Sequence, residues 1–134
     1  MITELLKMIE EVDPSDTAKL DEIDARVWCY LGLSAEPFKK LKYSSFIGRY
    51  WYDHSINDKG CRQIPPFYTR SRDALKAIRP DGWYIDINEY EKTTAFLTEF
   101  GGGFRQTKKV ELPTEELAEL HAILQALAYD RGQS

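Results

Sequence analysis

The residues predict an α+β protein: an antiparallel sheet of about four strands flanked by N-terminal and C-terminal helices. Three observations carry that prediction. Apolar residues recur at helical spacing towards both ends, at Leu20, Ile23, Val27 and Leu31 and again at Leu117, Leu120, Ile123, Leu124 and Leu127. Trp83, Ile85 and Ile87 alternate with Tyr84, Asp86 and Asn88, the period of a strand with one buried face. Residues 43–52, YSSFIGRYWY, are dense in aromatic and β-favouring side chains. The order of helices, strand, short helix, three-strand meander and helix is an α+β layout, a sheet covered by helices.

Each element follows from local signals. Thr3 is the expected cap of a short first helix carrying Leu5, Leu6 and Ile9. Asp13 followed by Pro14 predicts a second helix over about 14–31, with proline at the first helical position and Gly32 as the C-cap. A further helical turn is expected from Ser34. A strand is predicted over about 45–53, and HSINDKG has turn chemistry with its tip at Asp58-Lys59-Gly60. Pro65 and Pro66 exclude a helix and keep the next stretch extended. Ser71 caps a short helix with Ala74, Leu75 and Ile78, which Pro80-Asp81-Gly82 ends. Strands follow from Trp83 and over 93–100, with Phe96 and Phe100 on one face and Ala95 and Leu97 on the other. Gly101-Gly102-Gly103 turns into a third strand from Phe104 to about Leu112. Pro113-Thr114-Glu115-Glu116 opens the last helix with acidic residues in its first turn.

The 134 residues fit one domain, 1–134, long enough to bury a core without staples. Hydrophobic residues at 43% and charged residues at 30% are a globular composition. Cys29 and Cys61 are too few for a disulfide framework, and the acidic start and the lack of a long apolar run argue for a cytoplasmic protein. The net charge of −4 argues against nucleic-acid binding through the whole molecule. The charge is unevenly spread, however. Residues 37–80 hold ten basic side chains against three aspartates, and the segments on either side are acidic.

No catalytic constellation is legible. His54 and Cys61 flank one turn, but no third group orients them. Cys29, beside Trp28, is expected to be a small buried apolar group. His54 and His121 stand far apart, no paired-cysteine or paired-histidine spacing occurs, and Asp53, His54, Asn57 and Asp58 lack calcium-loop spacing, so no metal or other cofactor is expected. Asp21, Glu22 and Asp24 are expected to form a solvated face opposite the Leu20–Val27 stripe. Gly101–Gly103 has no lysine and no helix after it, and is a hairpin turn rather than a phosphate cradle. The informative stretch is KKLKYSSFIGRYWY. There Lys39, Lys40, Lys42, Arg49, Tyr50 and Tyr52 interleave cations with aromatics, as hot spots of protein partners and single-strand binders both do.

The run PPFYTRSRDALKAIRPDGW resembles a stretch of small phage and bacterial proteins of the phage ABA-sandwich domain type, through Tyr68, Thr69, Ser71, Asp73, Ala74, Leu75, Pro80, Gly82 and Trp83. KLDEIDARVWCYLG and LPTEELAELHAILQAL resemble the preceding and terminal helices of that group. The glycine turn, the hairpin at 89–92 and Glu115-Glu116 depart from its pattern. The resemblance implies a phage or prophage origin and a sheet with helices, and it implies no activity. The expectation is a non-enzymatic protein that binds a host protein, for example a counter-defence inhibitor of the anti-CRISPR type. The alternatives are a structural or assembly accessory of the phage particle, expected as a homo-oligomer, and a small nucleic-acid-binding protein using residues 37–80.

Overall fold

A computed structural model describes residues 2–33, 38–44, 49–53, 62–88, 94–99 and 106–132. Within them the chain mixes helix and strand, as the α+β reading requires. Helix α1 spans Ile2–Glu11 and buries Leu5 and Ile9. Thr3 lies inside it, not at its cap. Helix α2 spans Thr17–Tyr30 and starts three residues later than expected. The reason is local. The Asp13 carboxylate accepts from the Ser15 amide and hydroxyl and ties Pro14 into a turn, and Asp16 is the true cap, accepting from the Lys19 amide. The other end is as expected: Gly32 takes φ +74°, its amide donates to Cys29, and Leu33 donates to Trp28, the paired bonds of a Schellman stop.

A short 3₁₀ turn at Phe38–Lys40 leads into β1 (Lys42–Ser44), β2 (Arg49–Asp53) and β3 (Arg62–Gln63). Strand β1 was not expected; of the predicted strand, residues 45–48 lie outside the described ones. So do the turn at 54–60 with His54, the turn at Ser34, and Cys61. After Tyr68, Ser71 caps α3 (Arg72–Lys76), accepting from the Ala74 amide at 3.3 Å. Gly82, at φ +84°, then turns the chain into β4 (Trp83–Asn88), which pairs antiparallel with β5 (Thr94–Glu99). In that ladder Ile85 faces Leu97, which is buried, and Tyr84 is exposed. Strand β6 is only Val110–Glu111, far shorter than the expected 104–112, of which residues 104–105 lie outside the described ones along with the glycine turn.

Among the described residues the ladders form two three-stranded antiparallel sheets, β1-β2-β3 and β4-β5-β6, and not the expected single sheet of about four strands. Strand β2 pairs with its sequence neighbours, with β1 along Arg49–Trp51 and with β3 at Tyr52 and Asp53, rather than with the meander.

Helix α4 (Glu115–Asp130) is the centre of the molecule. Thr114 caps it, accepting from Leu117. Its expected stripe is buried at Leu117, Leu120, Ile123 and Leu124. So are Ala118, Ala122, Ala126 and Ala128 on its other sides, because α1, α3 and the second sheet all pack on it. Alanines at those positions let several elements approach one helix closely.

The acidic face of α2 is not solvated. Asp21 and Asp24 are buried, Asp24 completely, and only Glu22 remains half-exposed. The Thr69 amide donates to Asp24 at 2.8 Å, and the Arg70 guanidinium bridges Asp24 and Asp21. Cys29, expected to be buried, is half-exposed on the wall of a cavity.

Candidate functional site

The first sheet lies beside α2, and its register assembles an aromatic cluster. Tyr43 and Tyr50 are cross-strand partners, with ring centroids 5.1 Å apart at 54°. Phe38, delivered by the 3₁₀ turn, packs on Tyr50 at 5.3 Å. From α2, the Arg26 guanidinium lies 4.2 Å over the Phe38 ring, within cation–π range. Glu22 holds Arg26 in place at 3.0 Å, one helical turn away. Tyr50 is half-buried, and its hydroxyl is pushed above the usual range by burial and then by the Glu22 charge. It stays a neutral hydrogen-bonding group at physiological pH.

Tyr43 is 45% exposed, the most open ring of the cluster. Lys39, Lys40 and Lys42 are exposed around it. Under the edge of the cluster is a cavity of about 350 Å³, walled by Leu5, Met8, Arg26, Cys29, Tyr30 and Phe38 among others. Four of the six expected binding residues, Lys39, Lys40, Lys42 and Tyr50, are thus placed on one sheet and the turn before it. Arg49 and Tyr52 belong to β2, flanking Tyr50 in sequence, and their side chains lie outside the described ones.

Sequence reasoning missed Tyr43, Phe38 and Arg26 as members of the site. Tyr43 was within the stretch it singled out, and Phe38 immediately precedes that stretch. Pairing residues 42–44 with 49–51, in place of one strand over about 45–53, would have set Tyr43 against Tyr50. Arg26 carries no signal in its own helix, since its partner ring is supplied by a later turn.

A second exposed aromatic, Phe67, lies beneath the Arg70 guanidinium at 4.5 Å. Arg70 is charged. Burial works against its charge, but the hydrogen bonds to Asp24 and Asp21 hold its pKa above the ordinary value. Burial raises the Asp24 carboxyl against the pull of Arg70 and the Thr69 amide, because Asp24 is fully enclosed and Arg70 is not. Tyr68, behind them, is pushed up to about 12 by burial and by Asp24.

The basic segment is partly spent internally. Arg70 binds α2, Arg72 meets Glu115 and Glu119 of α4, and Arg79 meets Glu119, which is itself fully buried. Lys39, Lys40 and Lys42 of the 3₁₀ turn and β1 have exposed side chains. Among the described residues no three His, Cys, Asp or Glu side chains gather as a metal set, and no helix is long and apolar enough to cross a membrane. Comparison with family models, curated proteins and solved structures finds no match.

Proposed function

We propose that the chain is a phage- or prophage-encoded binding protein that docks on a host protein through the surface formed by Lys39, Lys40, Lys42, Tyr43 and Tyr50. A counter-defence inhibitor is the concrete form this takes. The observation that carries the docking reading is the Phe38–Tyr50–Tyr43 cluster. It is a mutually packed aromatic group, half-open, next to a hollow of about 350 Å³ and rimmed by cations. Partner hot spots are built that way: aromatic and arginine side chains preset by packing, a pocket for an anchor side chain, and a charged rim that guides approach. The rim favours an acidic face on the partner. The phage origin rests on the resemblance carried by residues 68–83.

A nucleic-acid reading has one observation in its favour, the three lysines beside an open tyrosine. It is weakened because Arg70, Arg72 and Arg79, three of the ten basic residues of segment 37–80, are turned onto carboxylates of α2 and α4.

The test is affinity capture of the tagged protein from its natural host after nuclease treatment, followed by mass spectrometry. A single stoichiometric host protein is the expected result. Recovery of the chain alone as a defined oligomer, or of nucleic acid lost steeply with salt, would overturn it in favour of an assembly accessory or a nucleic-acid binder.

A further inference from the structure

On the opposite side of α1 from the aromatic cluster's hollow, a second cavity opens between α1, α4 and the residues leading to β6. Its volume is about 550 Å³, within the span of ordinary small-ligand pockets. One wall is built around His121, which is only 4% exposed. The protonation of that imidazole follows from its neighbours. The Lys108 amide donates to Gln125 Oε1 at 2.8 Å, and Gln125 Nε2 donates back to the Lys108 carbonyl at 3.2 Å. This two-point match to a backbone fixes which way the Gln125 amide points. Its Nε2 therefore also faces His121 Nδ1, at 2.7 Å, and can only donate. Nδ1 is the acceptor, so the neutral ring carries its proton on Nε2.

Nε2 lies 3.3 Å from Glu10 Oε2 of α1, whose charge draws on the ring, but the N–H is not aligned on that oxygen and can still be offered into the cavity. Glu10 and His121 both line the cavity, so this buried N–H belongs to its wall. Lys7 and Lys108 also line it, both with exposed side chains, and Leu6, Val110 and Ala128 supply apolar surface. Among the described residues the wall thus offers the buried imidazole N–H, the cations Lys7 and Lys108 and an apolar floor, Lys7 also reaching Glu11 at 4.0 Å. The carboxylate among them, Glu10, already faces the imidazole.

We propose that this cavity binds a small amphipathic carboxylic acid. The ligand carboxylate accepts from His121 Nε2–H and is drawn by Lys7 and Lys108, and its hydrocarbon body covers Leu6, Val110 and Ala128. An amine is disfavoured by the two lysines, and a purely ionic ligand would leave the apolar floor in water. The site lies apart from the aromatic cluster and does not depend on the docking reading.

The experiment is titration of octanoate into the full chain by calorimetry, with the ring nitrogens of His121 followed by NMR. Octylamine and octanol serve as length-matched probes without the carboxylate. Octanoate is expected to bind one to one and to move the His121 Nε2 signal. Both other probes are expected to bind at least tenfold more weakly. Lys108→Glu should weaken octanoate at least tenfold; its side chain is exposed and its backbone bonds to Gln125 are kept, so the variant folds. Absence of saturable octanoate binding into the millimolar range would overturn the proposal. So would binding that Lys108→Glu leaves unchanged, or saturation with the His121 signals unmoved.

Discussion

At Asp24 burial and pairing oppose one another most sharply. A carboxylate with no exposed surface is tolerated only because the Thr69 amide and the Arg70 guanidinium both point at it. Removing it strands the Thr69 amide and leaves Arg70 with Asp21. Asp24→Ala is therefore expected to cost about 3 kcal/mol in urea unfolding, the low end for a broken buried pair, since Arg70 is itself partly exposed and keeps Asp21. A cost below about 1 kcal/mol would mean that the network is solvated. Tyr43 is the opposite case. Its ring is 45% exposed and packs on Tyr50, so Tyr43→Ala should move stability by no more than about 0.5 kcal/mol in the same measurement. Neither role is visible from spacing alone. Asp24 sits where the helical period calls for solvent, and the groups that bury it arrive 45 and 46 residues later.

At the scale of elements, ends were legible and interiors less so. Gly32, Ser71 and Gly82 were read as stops and caps because each acts through its own backbone neighbours, and each does so in the structure; residues 113–116 were read as a helix opening, where Thr114 is the cap. Thr114→Ala should cost about 1 kcal/mol in thermal or chemical unfolding, the usual worth of an N-cap hydroxyl. The predicted strand 104–112 failed for a tertiary reason. At Thr107 the side chain takes over part of the ladder, accepting from the Leu97 amide, and at Lys108 both backbone groups are claimed by Gln125 of α4. Alternation along a strand says nothing of a glutamine that imitates the next strand. Gln125→Leu should leave the Lys108 amide and carbonyl without partners, costing about 1–3 kcal/mol, and should speed hydrogen exchange at Lys108. Unchanged exchange there would place the Lys108 bonds elsewhere. The acidic face of α2 and the all-round burial of α4 share this cause: periodicity reports one buried stripe, and a helix covered by several elements has more than one.

For the whole molecule, the uneven charge along the chain becomes a folding device. The basic middle is drawn onto the acidic helices through Arg70, Arg72 and Arg79, while Lys39, Lys40 and Lys42 are exposed beside the aromatic cluster. The fold class was legible from alternation and helical spacing; the division into two sheets was not, because strand partners are chosen in space. Stability should also depend on pH through His121. Burial holds its folded pKa below the ordinary 6.5, with Glu10 pulling the other way. Between those two values the unfolded chain takes up a proton that the folded chain does not. The contribution of His121 is then complete above about pH 6.5 and is lost as pH falls through the folded value. Melting temperature should decline on that limb, and His121→Gln should flatten it.

The central claim is that the cluster around Tyr43 and Tyr50 is where a partner binds. Its most direct test is the affinity of the captured host protein for Tyr43→Ala and for Lys39→Glu, compared with the parent chain at equal melting temperature. The docking account predicts a loss of tenfold or more for Tyr43→Ala, about 1.4 kcal/mol or above, and a slower association for Lys39→Glu. Affinities and association rates unchanged in both variants, with the fold intact, would contradict it.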